Sequence, residues 1–266
     1  MSERDGYAPG TPSWVDIGTD IDGAKAFYGG IFGWEAADAG PVEETGGYGM
    51  FRKDGKVVAG YGPKQNPGPP AWATYVSVAD ADVTAAAVSA AGGTVLVEPM
   101  DVLTAGRMAV FSDPEGVAFS VWQPGDHIGA ELVNESSAFA WTELNTRDLV
   151  GSLEFYFAVF GWASETHELP TGSYTELKLD GRSVAGAMDM SGRVPDEVLP
   201  HWLVYFMVDD CDSTVARAKE LDGSVTVGPM DLPVGRFAVV RDPQGAHFAV
   251  IHPNAASSPK RFGDES

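Results

Sequence analysis

The chain has 266 residues, 44% of them hydrophobic and 11% aromatic, enough apolar mass for packed cores in one large domain or two ordinary ones. Its net charge of −21, from 38 acidic and 17 basic residues, repels phosphate backbones and anionic lipid, which argues against nucleic-acid and membrane-surface partners. No apolar run reaches the ~20 residues of a membrane helix, MSERDGYAPG lacks a signal-peptide core, and the single Cys211 permits neither an intrachain disulfide nor a thiolate zinc site, so a cytoplasmic protein is expected.

In chain order, a short strand over Trp14–Gly18 opens the pattern. A helix follows, with Phe27, Tyr28, Ile31 and Phe32 in apolar spacing, an Asp20 or Asp22 cap, and Gly33 where it stops. Two strands then meet at the hairpin turn Asp54-Gly55. A strand from Trp72 runs into a helix over Ala81–Ala91, and three more strands close the unit, the last two joined at Asp113-Pro-Glu-Gly. The same plan then recurs about 130 residues later, which is the signature of a duplication. Its strand is Trp141–Asn145, its helix carries Asp148, Leu153, Phe155, Tyr156, Val159, Phe160 and Gly161, and its hairpin is Asp180-Gly181. A strand from Trp202, a helix over Asp212–Leu221 and the turn Asp242-Pro-Gln-Gly complete it. FYxxxFGW stands at Phe27–Trp34 and again at Phe155–Trp162. Cys211, after a strand, reads as a structural, half-exposed thiol, because no base lies near it in sequence. Arg107 and Arg236, at strand starts, are expected to brace Asp113 and Asp242; His127 and His167 read as loop residues.

FYxxxFGW after a short strand, an acid-capped second helix, and G-R-x-A-x-x-x-DP-x-G before a last strand resemble the vicinal oxygen chelate superfamily, which includes glyoxalase I, extradiol dioxygenases and bleomycin-resistance proteins. The tandem layout with the GAELVNE linker is similar to two-domain actinobacterial proteins labelled hydroxylases or glyoxalase-like proteins, some of which accompany polyketide antibiotic pathways. The resemblance implies an α+β fold: two tandem glyoxalase-like domains, each of two βαβββ units with a curled mixed sheet around a cavity. The domains run over 12–124 and 139–253, with an N-terminal tail 1–11, a linker 125–138 and a flexible tail 254–266.

The resemblance also implies three metal-ligand places per copy, for His, His and Glu. Here they fall at Trp14, Ala73 and Ser120, and at Trp141, Leu203 and Ala249. None is a ligand, so neither metal nor cofactor is expected, and ordinary metal-dependent glyoxalase chemistry is not. Because strand side chains alternate, the same face would carry Trp14, Asp16, Tyr75, Ala118, Ser120 and Trp122 in copy one. In copy two it would carry Trp141, Glu143, Asn145, His201, Tyr205, His247 and Ile251, with Tyr48 and Tyr174 joining from middle strands. Aromatic walls with a few polar groups suit a small, largely apolar molecule; each aromatic taken singly also suits plain core packing.

Glu143, His201 and His247 are the candidate catalytic set, as an acid–base group or a displaced facial triad. Both histidines stand two residues from the implied ligand places, about 6.6 Å along a strand. Three functions stay open. The first is a metal-independent binder of an aromatic or polyketide-like metabolite, in biosynthesis or in resistance by sequestration, with copy two as its working pocket. The second is a hydroxylase, oxidoreductase, lyase or isomerase using the acid–base residues of copy two. The third is a structural partner protein with filled pockets. The copies are expected to pair as a pseudo-dimer within a monomer, or within a homodimer.

Overall fold

A computed structural model describes residues 2–65, 68–169 and 172–254. In copy one, the first unit is β1 (Pro12–Thr19), α1 (Ile21–Phe32), β2 (Glu35–Asp38), a single turn α2 (Val42–Thr45), β3 (Gly49–Lys53) and β4 (Lys56–Pro63). The second is β5 (Ala71–Ser77), α3 (Ala81–Ala90), β6 (Thr94–Val102), β7 (Gly106–Ser112) and β8 (Ala118–Pro124). Copy two repeats the plan as β9 (Ala138–Thr146), α4 (Leu149–Phe160), β10 (Ala163–Leu169), β11 (Gly172–Leu179) and β12 (Arg182–Asp189). Its second unit is β13 (His201–Met207), α5 (Cys211–Glu220), β14 (Ser224–Leu232), β15 (Gly235–Arg241) and β16 (His247–Pro253). Among the described residues α2 has no counterpart in copy two, and neither α2 nor the strands β2 and β10 ahead of each hairpin are placed from the sequence.

Each copy forms one eight-stranded sheet, in the orders β2-β3-β4-β1-β5-β8-β7-β6 and β10-β11-β12-β9-β13-β16-β15-β14. The two units of a copy meet at the antiparallel pairs β1–β5 and β9–β13, where Trp14 lies opposite Tyr75 and Trp141 opposite Tyr205. Local chemistry sets the corners. The Asp20 and Asp148 carboxylates accept the backbone N–H groups of Gly23 and Gly151, each at 3.0 Å, capping α1 and α4. Gly33 (φ 71°) and Gly161 (φ 72°) end the same helices in the left-handed region.

The cores do not respect the copy boundary. Phe32 and Trp72 of copy one pack on Phe206 of copy two at ring distances of 5.1 and 5.0 Å, while Tyr156 of copy two packs on Phe119 of copy one at 5.5 Å. Each FYxxxFGW motif makes the crossing. Tyr28 donates its hydroxyl to Asp242 at 2.9 Å and accepts the Trp72 indole N–H at 3.0 Å. Tyr156 donates to Asp113 at 3.3 Å and accepts from Trp202 at 3.0 Å. The motif tryptophans reach across as well: Trp34 donates to Ser137 O and Trp162 to Gly10 O, both at 2.7 Å, just ahead of the other copy's first strand. Thr74 and Thr142, 2.8 Å apart, share a buried hydroxyl contact between the sheets.

Several expectations are corrected by these contacts. Arg107 and Arg236 do not brace the turn aspartates; they pair with Asp82 and Asp101, and with Asp212 and Asp231. Asp113 and Asp242 instead accept backbone N–H groups of their own turns and the partner copy's tyrosine. Cys211 is 1% exposed, not half-exposed: it opens α5 facing the core, and burial pushes its thiol up to about 11. The segment before β1 is anchored, since Arg4 N–H donates to Glu131 O and Tyr7 OH to Ala130 O. The linker is packed too: Ala130, Leu132 and Val133 are buried, and Glu131 N–H donates to Val57 O. The expected tail lies outside the described residues from 255 onward. Among the described residues no helix is long and apolar enough to cross a membrane.

With both cores shared, the copies should unfold together. Urea curves by tryptophan fluorescence and far-UV circular dichroism should superimpose, and two separated transitions would refute the shared core. Tyr28→Phe leaves a buried Asp242 oxygen unpaired, for a loss of about 1–3 kcal/mol.

Candidate functional site

On the face of each sheet turned away from the other copy, the same polar cluster is built twice. In copy one it starts at the sheet centre. Trp14 and Asp16, two apart on β1, share a face, and Tyr75 comes from the neighbouring β5. Tyr48, just ahead of β3, lies over β4. The Trp14 indole N–H donates to the Tyr48 hydroxyl at 3.0 Å, which donates to Asp16 Oδ2 at 3.0 Å; Tyr75 donates to the same oxygen at 2.9 Å. Ser120, opposite Tyr75 on β8, hydrogen-bonds the Tyr75 hydroxyl. Trp122 is buried on the same strand, its indole N–H donating to His127 O at 2.7 Å.

Copy two repeats the arrangement with a glutamate. Trp141 donates to the Tyr174 hydroxyl at 2.9 Å, and Tyr205 donates to Glu143 Oε1 at 3.1 Å. Tyr174 also hydrogen-bonds Glu143, and Asn145 reaches it at a long 3.4 Å. Both clusters require a glycine beneath the tyrosine. A Cβ at Gly60 would lie 2.1 Å from the Tyr48 hydroxyl, and one at Gly186 would lie 1.9 Å from that of Tyr174.

The electrostatics follow from burial with neutral donors only. Asp16 is pushed up to about 6 by burial, against the lowering effect of the Tyr75 and Tyr48 hydrogen bonds. Glu143 is raised by burial in the same way, opposed by Tyr205, Tyr174 and Asn145. Tyr48 and Tyr75 are raised well above the ordinary phenol value, by burial first and then by Asp16. They therefore stay protonated as donors. Each cluster is a carboxyl group set among aromatic rings, raised by burial in both copies and, for Asp16, to about 6.

Of the ten residues expected to line a pocket, hydrogen bonds join Trp14, Asp16, Tyr48, Tyr75 and Ser120 in copy one and link Trp141, Asn145, Tyr174 and Tyr205 to Glu143 in copy two, while Trp122 meets its cluster only through His127. Glu143 is central to its cluster. His201 and His247 are not hydrogen-bonded to it. His201 Nδ1 lies 2.9 Å from Leu199 O, and His247 stands exposed at the start of β16. His167 is on β10, not in a loop, and His127 was missed by sequence reasoning. The linker folds back so that its ring meets Trp14 at 4.6 Å and Trp122 at 5.5 Å, both edge-on. Its Nε2 is buried with no partner among the described residues, and burial lowers the imidazole to about 4. The buried run Ala130, Leu132 and Val133 was the available signal that this linker packs.

The donor set does not fit a chelated divalent ion. The three places implied for ligands hold Trp, Ala and Ser in one copy and Trp, Leu and Ala in the other. Among the described residues no group of three His, Cys, Asp or Glu side chains could hold a metal.

A pH experiment tests the Asp16 environment. Its folded value of about 6 exceeds the unfolded ~3.9, so the native state retains a proton that the unfolded state releases. Stability is then full below about pH 4 and falls by up to about 3 kcal/mol as pH rises through about 6. Asp16→Asn should remove that slope. Parallel wild-type and variant stability profiles between about pH 4 and 7 would show that Asp16 titrates normally.

Comparison with known proteins agrees with this architecture. The profile of the Glyoxalase/Bleomycin resistance protein/Dioxygenase superfamily matches residues 17–121 and 138–250. The chain is 44% identical over 264 residues to "Putative glyoxylase CFP32" of Mycobacterium tuberculosis, covering 95% of this chain and 98% of that protein. It is 41% identical over 264 residues to "Anthracycline biosynthesis protein DnrV" of Streptomyces peucetius, covering 92% and 94%. The fold is similar to that of the Mn(II)-bound glyoxalase from Novosphingobium aromaticivorans, with a TM-score of 0.62 at 17% identity, covering 98% of this chain and 91% of the other. It is also similar to 2,2',3-trihydroxybiphenyl 1,2-dioxygenase from Sphingomonas wittichii, with a TM-score of 0.62 at 15% identity, covering 97% and 99%. With two cross-locked copies of the same βαβββ pair and a family match over both, the chain belongs to the glyoxalase/bleomycin resistance protein/dioxygenase superfamily.

Proposed function

We propose that this protein binds a small planar aromatic metabolite without a metal, in pockets floored by the two Trp–Tyr–carboxyl–Tyr clusters. The observation that carries this reading is the cluster itself, built twice from the same strand positions. It offers indole and phenol faces for stacking and a carboxyl group that can donate or accept toward a phenol or carbonyl on the ligand. Asp16 Oδ2 is used by both tyrosines, while Oδ1 takes no hydrogen bond from the described residues and Asp16 remains partly exposed. A relative named for anthracycline biosynthesis supports a polycyclic aromatic class, handled in biosynthesis or sequestered for resistance.

A second reading, an enzyme of the isomerase, lyase or hydroxylase type, is favoured by one observation. Asp16, at about 6, sits where a general acid or base near neutrality is most effective. The two readings share the site and differ in whether the ligand leaves unchanged.

The test is a titration of the full chain, treated with chelator, with 1,8-dihydroxyanthraquinone, followed by tryptophan fluorescence and chromatography of the recovered probe. Saturable binding that chelator does not alter, weakened about tenfold by Asp16→Asn or Glu143→Gln, is the expected result. Binding that appears only after a divalent metal is added would overturn the metal-free reading. No binding would leave the clusters as filled cores, and chemical change in the recovered probe would favour the enzyme.

A further inference from the structure

The two copies diverge most in chemistry at one end of the site-bearing sheet face. In copy two a row of polar side chains crosses four strands there. Asn145 on β9 lies opposite His201 on β13, and Arg241 on β15 lies opposite His247 on β16. The inner strands are joined with Tyr205 beside Ala249, so His247 falls beside Leu203, one diagonal step from His201. Two-residue alternation puts all four on the face that carries Glu143, Tyr205 and Ile251. In copy one the matching register pairs are Gly18 with Ala71 and Ser112 with Ala118. The row is therefore a feature of copy two alone.

Among the described residues Arg241 forms no ion pair, although the chain carries 38 acidic residues. Three acids on the adjoining elements are already engaged, while Asp222 and Glu197 stand exposed to solvent. Asp242 uses Oδ1 for the Gly245 and Ala246 N–H groups and Oδ2 for Tyr28. Asp196, in the loop before β13, lies 3.5 Å from Arg147, and Glu143 is held by Tyr205, Tyr174 and Asn145. The His247 imidazole is lowered by burial and then by the positive fields of Arg241 and His201, so the three groups act on one another. A guanidinium charge flanked by two imidazoles beside an aromatic-floored site, in a molecule of net charge −21, is stabilised by an anion placed among them.

We propose that this rim recognises an oxyanion, in the first place a carboxylate, carried by the aromatic ligand of copy two. Arg241 supplies a fixed positive charge and planar donors, while His247 supplies an imidazole N–H; His201, whose Nδ1–H is engaged by Leu199 O, donates through Nε2 when the anion draws a proton onto it. The ring system would lie toward Tyr205 and Trp141, with the anionic substituent at the open end of the sheet. Copy one, with alanine and glycine at the same places, would take only a neutral ligand. This inference rests on the aromatic-pocket reading above, and it goes further in assigning the ligand a charge and copy two the selectivity.

Calorimetry on the full chain with 2-naphthoate and its neutral isostere 2-naphthamide tests it. The expected result is about tenfold tighter binding of the carboxylate. That preference should disappear in Arg241→Gln with His247→Ala while affinity for the amide is kept. Equal affinities, or a preference that survives both substitutions, would overturn the rim and leave the aromatic pocket standing. If neither compound binds, the aromatic-pocket reading fails, and the rim is decided by inorganic phosphate alone. Phosphate should then shift the imidazole resonances of His201 and His247 in the wild type and not in Arg241→Gln; no shift in the wild type would overturn it.

Discussion

The whole architecture depends on a tyrosine hydroxyl from one copy meeting an aspartate from the other. Tyr28 and Asp242, with Tyr156 and Asp113, form two such contacts in the shared interior. Each aspartate has a reason to be buried. It closes its own D-P-x-G turn through backbone N–H groups, and the phenol satisfies its remaining oxygen. Each phenol in turn accepts an indole N–H, from Trp72 or Trp202, so every polar atom at the crossing has a partner. Buried polar groups satisfied in this way specify geometry as well as stability, because one missing member leaves its neighbours unpaired. The two most recognisable repeated motifs, FYxxxFGW and DPxG, are then the two halves of one intercopy contact. Each copy carries both halves, which is how a duplicated chain closes on itself with pseudo-two-fold symmetry.

That arrangement leaves the opposite face of each sheet free to be something other than core. The face toward the other copy holds Leu144, Val204, Phe206 and Phe248, while the far face holds the carboxyl clusters. A carboxyl group among aromatic rings, with only phenol, amide and indole donors for company, is costly as an anion. The raised values of Asp16 and Glu143 express that cost. Replacing both groups by apolar residues of similar shape would remove it, so their presence in both copies, with a glycine under each tyrosine to admit them, argues for use beyond packing.

Much of this was legible in the chain because local rules governed it. Asp-Gly pairs marked Asp54 and Asp180, both at positive φ. Asp20 and Asp148 capped helices, and strand alternation put Trp14 with Asp16 and Trp141 with Glu143 on one face. What local rules could not reach is where a side chain finds a partner from a distant element. Arg107 and Arg236 turn back toward Asp82 and Asp212 on the preceding helices α3 and α5, not toward the turn ahead. Cys211 is buried because α5 packs on the strands β14–β16 that follow it, in a core shared with copy one, contacts outside any window of sequence. His201 and His247 do share the face of Glu143, but alternation fixes the face and not the depth, and both stand at its open end.

The duplication is symmetric in its strand order, and the copies differ on the faces turned away from the shared core. After β8 the chain must travel on to β9, and it does so across copy one, pressing His127 edge-on against Trp14 and Trp122. Copy one's site is therefore bounded by its own linker, and its open end is lined with small residues that add no charge. In copy two Ile251 stands where copy one has Trp122, and β16 begins with His247 where β8 begins with Ala118. The lining can change without disturbing the shared core, because Arg241, His201 and His247 face away from the intercopy contact. Divergence between the copies is thus permitted where the fold is indifferent and suppressed where Tyr28 and Tyr156 must find their aspartates.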